Sequence, residues 1–168
     1  MIKTADWIEL AQAAYDDAGL GTGSIETIAT WDQQYCANAV YRVGGARYLK
    51  IYGPGAAWQF QVERSVLRTI EAYREIPAPR LTTTGELKQG WPYIVMTEVA
   101  GATAEEIWDS LPRSEQLALA GEIGLITAAI HRLPQESLAA VEQEFGGMRE
   151  HTRRYRDQLP SDLFGLPD

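Results

Sequence analysis

Apolar residues recur at two different periods along the chain. Residues 6–18 carry Trp7, Leu10, Ala11 and Ala14 at helical spacing, and Gly19, Gly21 and Gly23 end that stretch, which predicts an amphipathic opening helix. Residues 25–30, 37–43 and 48–52 read as strands, joined by a loop at 31–36 and a tight turn at Gly44 and Gly45, and turns that short make the three antiparallel. After Gly53, Pro54 and Gly55 the helical period returns over residues 56–75, with an apolar stripe of Val66, Leu67, Ile70 and Tyr73; Pro77 and Pro79 forbid its continuation. Two more strands, residues 80–84 and 93–99, flank a loop at 85–90. The expected fold class is therefore α+β, a five-stranded, mostly antiparallel sheet with one helix laid across it.

From Thr103 the texture becomes helical, first over residues 104–108 and then over 112–132. In the long helix Leu119, Ile123, Ile126 and Ile130 mark one stripe, and Ala120, Gly124 and Ala128 a second, small-residue side. A helix apolar over so much of its circumference lies inside a larger domain, so an exposed apolar patch is expected on this chain when it is alone. The pattern divides the chain at the end of the sheet, into residues 1–99 and residues 100–168.

Two charges break the pattern. Lys50 sits in the middle of Y-L-K-I-Y, an aromatic and aliphatic strand, and Glu63 lies three residues before Val66, on the inward stripe of the following helix. A lone buried ammonium or carboxylate costs several kcal/mol, roughly, so two such charges on adjacent elements are most economically explained as partners. Taken singly, Lys50 reads as a snorkelling surface lysine and Glu63 as an ordinary exposed helix acid. Tyr48, two residues before Lys50 on the same strand face, can be a core aromatic or a platform for a ligand's ring.

Composition narrows the partners. With 45% hydrophobic and 10% aromatic residues the chain should fold, and its net charge of −8 disfavours nucleic acid or an anionic membrane. The arginines between 149 and 156 form the only local basic cluster, read as a solvated helix face. Cys36 is the only cysteine, which forbids an intrachain disulfide and fits a reducing cytoplasm. No run approaches the ~18 apolar residues of a membrane span. Neither a cysteine and histidine spacing for zinc nor a G-x-S-x-G elbow is present.

The chain resembles the N-terminal lobe of the aminoglycoside phosphotransferase and choline kinase family of small-molecule kinases. The resemblance runs from about Trp31 to Pro134 and rests on N-A-V-Y-R-V from Asn38, Y-L-K-I-Y from Tyr48, Glu63 in its helix, I-P-A-P-R from Ile76, W-P-Y-I-V-M-T-E-V-A-G from Trp91 and I-H-R-L-P from Ile130. It implies a kinase-like N-terminal lobe followed by the helical start of a truncated C-terminal lobe. It implies too that Lys50 holds the α- and β-phosphates of ATP, that Glu63 orients Lys50, and that Tyr48 stacks the adenine. The backbone carbonyl of Thr97 and the backbone N–H of Val99 would bond the adenine edge, with Met96 lining the pocket. Without the resemblance, residues 93–99 read equally well as a strand with no ligand.

Phosphoryl transfer in that family needs a His-x-Asp catalytic motif, a downstream asparagine and a metal-binding aspartate. His131 and His151 are the only histidines, and neither begins such a motif. His131 reads as a capping or packing residue. The expectation is a nucleotide-holding half without the transferring half, with no catalytic residue, no complete metal site, and Mg2+ only alongside a missing C-terminal lobe. The alternative is a non-catalytic kinase-like module that binds nucleotide or a protein. On the first reading the apolar side of 112–132 would bind a separate C-terminal lobe; on the second the chain would be a stable soluble monomer or pair with a second copy through that patch. The 31–37 segment, W-D-Q-Q-Y-C-A, stands where protein kinases carry a glycine-rich phosphate cover, yet has no glycine; Gln33, Gln34 or backbone N–H groups are its candidates for phosphate.

Overall fold

The computed structural model describes residues 4–33, 36–88 and 90–134. Helix α1 (Thr4–Asp17) leads into strands β1 (Ile25–Gln33), β2 (Cys36–Val43) and β3 (Arg47–Tyr52). Helix α2 (Ala57–Ile70) follows, then β4 (Leu81–Glu86), β5 (Pro92–Thr97), the short α3 (Ala104–Ile107) and α4 (Arg113–His131). The five strands form one sheet in the order β1-β2-β3-β5-β4, with every neighbouring pair antiparallel.

Strand alternation sorts the side chains of β3 into two sets. Leu49 and Ile51 point to one face, where they lie opposite Val95 and Tyr93 of β5. Helix α1 covers this face with Trp7, Ala11, Ala14 and Tyr15, all buried, and the two alanines let helix and sheet approach closely. Tyr48, Lys50 and Tyr52 point to the other face, where Met96 lies opposite Tyr48 and Ile94 opposite Lys50. Helix α2 covers that one with Phe60, Leu67 and Ile70. The sheet is thus the middle of three layers; the opening helix supplies one outer layer, where a single helix across the sheet was expected.

Several boundaries move. Strand takes up residues 31–33 and 36 of the loop expected at 31–36: β1 runs to Gln33, which pairs with Cys36 of β2. Nothing in W-D-Q-Q-Y-C breaks a strand, since it holds no glycine or proline. Strand β4 runs through Gly85 into what was expected to be a loop, because the Tyr93 ring lies over Gly85, only 2.4 Å from where a Cβ would stand. Strand β5 spans residues 92–97 rather than 93–99.

Helix α2 is preceded by a 3-10 turn, Pro54–Ala56, and stops at Ile70 rather than near Glu75. The cause lies ten residues downstream. The Arg80 guanidinium donates to the carbonyls of Ile70 (2.6 Å), Tyr73 (3.3 Å) and Ile76 (2.8 Å), satisfying groups the helix would otherwise bond to its own next turn.

Helix α3 starts with a reciprocal cap, in which Thr103 Oγ1 accepts the Glu106 N–H and the Glu106 carboxylate accepts the Thr103 N–H. Helix α4 buries none of its residues; Ile123 and Ile130 of the expected stripe are exposed, Leu119 and Ile126 are half-buried, and Leu117 and Leu125, outside the stripe, are exposed as well. Among the described residues, Ala129 of α4 and Leu133 just past its end pack against the α2-side core. No helix among the described residues is long and apolar enough to cross a membrane. Gln34, His151 and the basic cluster at 149–156 lie outside the described residues.

Candidate phosphate-binding face

The out-of-pattern charges meet. Lys50 Nζ lies 2.6 Å from Glu63 Oε2, with the lysine and glutamate side chains 20% and 30% exposed. The placement follows from two periods: Lys50 is on the α2 face of β3, and Glu63 falls between Phe60 and Leu67 on the buried stripe of α2. The pair is half-buried, so the ammonium keeps water or ligand access while its orientation is fixed.

The sequence reading missed Tyr52. Its hydroxyl donates to Glu63 Oε2 at 2.7 Å, the same oxygen that Lys50 approaches. Tyr52 is fully buried, its ring 5.1 Å from Lys50 Nζ and edge-on to Phe60 at 5.7 Å. Burial first, and then the neighbouring Glu63 carboxylate, raise the phenol far above its ordinary value, so it stays a donor. The signal available was the strand period itself, since Tyr48, Lys50 and Tyr52 share one face.

Tyr48 is partly buried against the α2-side core, beside Met96, and its hydroxyl reaches Glu98 Oε1 at 3.5 Å. Glu98 is held more firmly by Arg42, with Nη2 2.9 Å from Oε2, and the hydrogen bond and charge of Glu98 raise the arginine's pKa. Arg42 and Glu98 were also missed; each is a charge on or just past a strand otherwise rich in apolar residues.

The end of β5 is tied on both sides. The Thr97 N–H donates to the Arg80 carbonyl and the Arg80 N–H donates to Thr97 Oγ1, both at 2.9 Å, while the Glu98 N–H donates to Ala46 at 3.0 Å. The Thr97 hydroxyl oxygen thus accepts a bond from the fold itself. Val99 follows the strand and is half exposed. Of the six residues singled out from sequence, the structure gathers Tyr48, Lys50, Glu63 and Met96 on one face, with Thr97 and Val99 at the end of the strand beside it. Among the described residues, no three His, Cys, Asp or Glu side chains come together as a metal site. A half-buried lysine held by a carboxylate beside an aromatic ring can bind a phosphate and a flat base.

Comparison with known proteins bears on the family and the fold. A family model described as the phosphotransferase enzyme family matches residues 35–165. The fold is similar to that of an aminoglycoside 2'-phosphotransferase solved as its GDP complex, with a TM-score of 0.68 and 15% identity over 96% of this chain and 54% of the other. It is similar also to a related enzyme solved with GDP and kanamycin, at TM-score 0.65 and 16% identity over 96% and 54%. A third, the aminoglycoside phosphotransferase APH(4)-Ia, gives a TM-score of 0.54 and 18% identity over 76% and 40%. The chain spans about half the length of the solved structures it matches most fully. With the family model covering most of its length, the chain belongs to the phosphotransferase enzyme family and carries the kinase-like fold of the aminoglycoside phosphotransferases.

Proposed function

We propose that this chain is the nucleotide-binding portion of a small-molecule kinase, which transfers the γ-phosphate of ATP to a hydroxyl of an aminoglycoside-like or other small polar acceptor. The observation that carries the reading is the Lys50 to Glu63 pair, 2.6 Å apart and half-buried on the face that also presents Tyr48 and Met96. Lys50 would hold the α- and β-phosphates as a point charge, with Glu63 fixing its direction. Tyr48 and Met96 would take the base, and the backbone of Thr97 and Val99 its edge. Solved relatives of the fold support this, being complexes with GDP, with GDP and kanamycin, and with AMP-PNP and hygromycin B.

Phosphoryl transfer would need more than these residues. The sequence holds no His-x-Asp motif, so the general base and the Mg2+ carboxylates would come from a C-terminal lobe. Nucleotide with Mg2+ supplies the transferable phosphoryl group; the residues here bind, orient and screen it. The missing motif and the exposed apolar side of α4 also favour a second reading, a nucleotide-binding module without chemistry that stays a monomer or pairs with a second copy through α4. A reducing, cytoplasmic setting fits either.

Calorimetric titration of ADP and GDP into the chain tests the shared core of both readings. Wild type should bind at least one of them, and Lys50→Ala should weaken that binding roughly ten- to a hundredfold, the loss of a charge-assisted contact. Equal affinity in the two would remove the nucleotide reading. Mixing the chain with a family C-terminal lobe and an aminoglycoside then separates the two, since only a kinase consumes ATP.

A further inference from the structure

Glu63 Oε2 receives two bonds, from Lys50 Nζ at 2.6 Å and from the Tyr52 hydroxyl at 2.7 Å. The two donors differ in what else they can do. Lys50 is partly open to solvent and has further N–H bonds to give, whereas Tyr52 is fully buried and donates its single O–H to Glu63. The hydroxyl cannot turn to water, and the raised phenol pKa keeps its proton in place.

We propose that Tyr52 is a positioning residue for phosphate recognition, fixing the Glu63 carboxylate so that it aims Lys50 without sequestering it. The inference rests on the nucleotide reading above and adds to it a residue outside the lysine and glutamate pair. A glutamate on a helix has three side-chain torsions, and freezing them costs conformational entropy. The buried phenol meets that cost in the folded chain, before any ligand arrives. By taking part of the charge on Oε2, the hydroxyl also weakens the hold of Glu63 on the ammonium, leaving Lys50 better able to exchange its carboxylate for a phosphate oxygen. Tyr52 lies below this oxygen and Phe60 braces its ring, so the hydroxyl's position is set by the α2-side core rather than by the surface.

The readout is the ratio of ADP to adenosine affinity, which isolates the phosphate-dependent part of binding. Tyr52→Phe deletes one oxygen and keeps the ring; it should lower the ratio about three- to tenfold by weakening ADP binding while adenosine affinity stays the same. In a Glu63→Gln background the same substitution should add no further loss, because Tyr52 acts through the carboxylate. A purely structural role would move both affinities together and leave the ratio alone. Should Tyr52→Phe not fold, Glu63→Asp gives the second reading: it keeps the charge but withdraws the carboxylate from the phenol by one methylene, and the ratio should fall similarly. An unchanged ratio in either variant overturns the positioning role. Lys50→Ala separates the two levels: if it weakens ADP binding and Tyr52→Phe does not, the positioning role alone fails; if neither does, the nucleotide reading fails with it.

Discussion

Leu49 and Lys50 are adjacent in sequence and lie on opposite faces of one strand, where they serve different ends. Leu49 joins Ile51, Tyr93 and Val95 under α1 in a layer whose members are fully or nearly fully buried. Lys50 joins Tyr48 and Tyr52 under α2 in a layer that gathers a cation, a carboxylate and two phenols within an apolar frame. The α1 face is built to exclude water and the α2 face to keep one polar opening. A strand can carry both because its period is two: the ladder that holds the core in register also fixes the direction of the functional lysine.

Substitutions on the two faces should therefore separate stability from binding. Leu49→Ala empties a fully buried position and should cost about 2–5 kcal/mol in denaturant unfolding, with nucleotide affinity unchanged wherever the chain remains folded. If affinity fell in step with stability, the faces would not be independent. Arg80→Ala removes three hydrogen bonds from the end of α2 and should cost about 1–3 kcal/mol. Arg80→Lys should recover only part of that, since an ammonium cannot span the carbonyls of Ile70 and Ile76 as the guanidinium does.

Tyr93 sharpens the contrast on the α1 side. Its hydroxyl donates to Asp17 Oδ2 at 2.6 Å, and burial first, then Asp17, raise its pKa above the ordinary 10.0. Above that pH the folded chain retains a proton that the unfolded chain releases, so stability falls as pH rises from 10.0 toward the folded value. Tyr93→Phe should flatten that alkaline decline in a series of unfolding curves; a decline of unchanged slope would assign it to Tyr52 and Tyr41, which are shifted the same way. The smallest effect is expected from Lys50→Met, which should change unfolding stability by less than about 1 kcal/mol because the partly exposed Glu63 can recruit water.

How much of this was legible follows the range over which each contact acts. The lysine in an apolar strand and the glutamate on an apolar stripe stood out because each violates a local period, and the two periods placed them on facing surfaces. Tyr52 was hidden because a tyrosine at a strand end is an ordinary choice; only the α2 packing shows where its hydroxyl goes. The end of α2 depends on Arg80, a contact across ten residues that no local pattern announces. Gly85 was read as a loop residue, and its actual cause is the ring of Tyr93 lying across it from β5. The role of α1 as a full outer layer was likewise invisible, since its small apolar stripe gives its amphipathicity without giving its partner.

The most direct test of the two-face account is a methyl NMR titration of the chain with ADP. Met96 and Ile94 lie on the Lys50 face of β5, and Leu49, Ile51 and Val95 point to the α1 side. The account predicts that the Met96 and Ile94 methyl resonances move with saturation while those of Leu49, Ile51 and Val95 hold still, and that Lys50→Ala shifts the saturation midpoint of that movement to roughly ten- to a hundredfold higher ADP. Saturable shifts centred on the α1 face, or a midpoint that Lys50→Ala leaves unchanged, would contradict it.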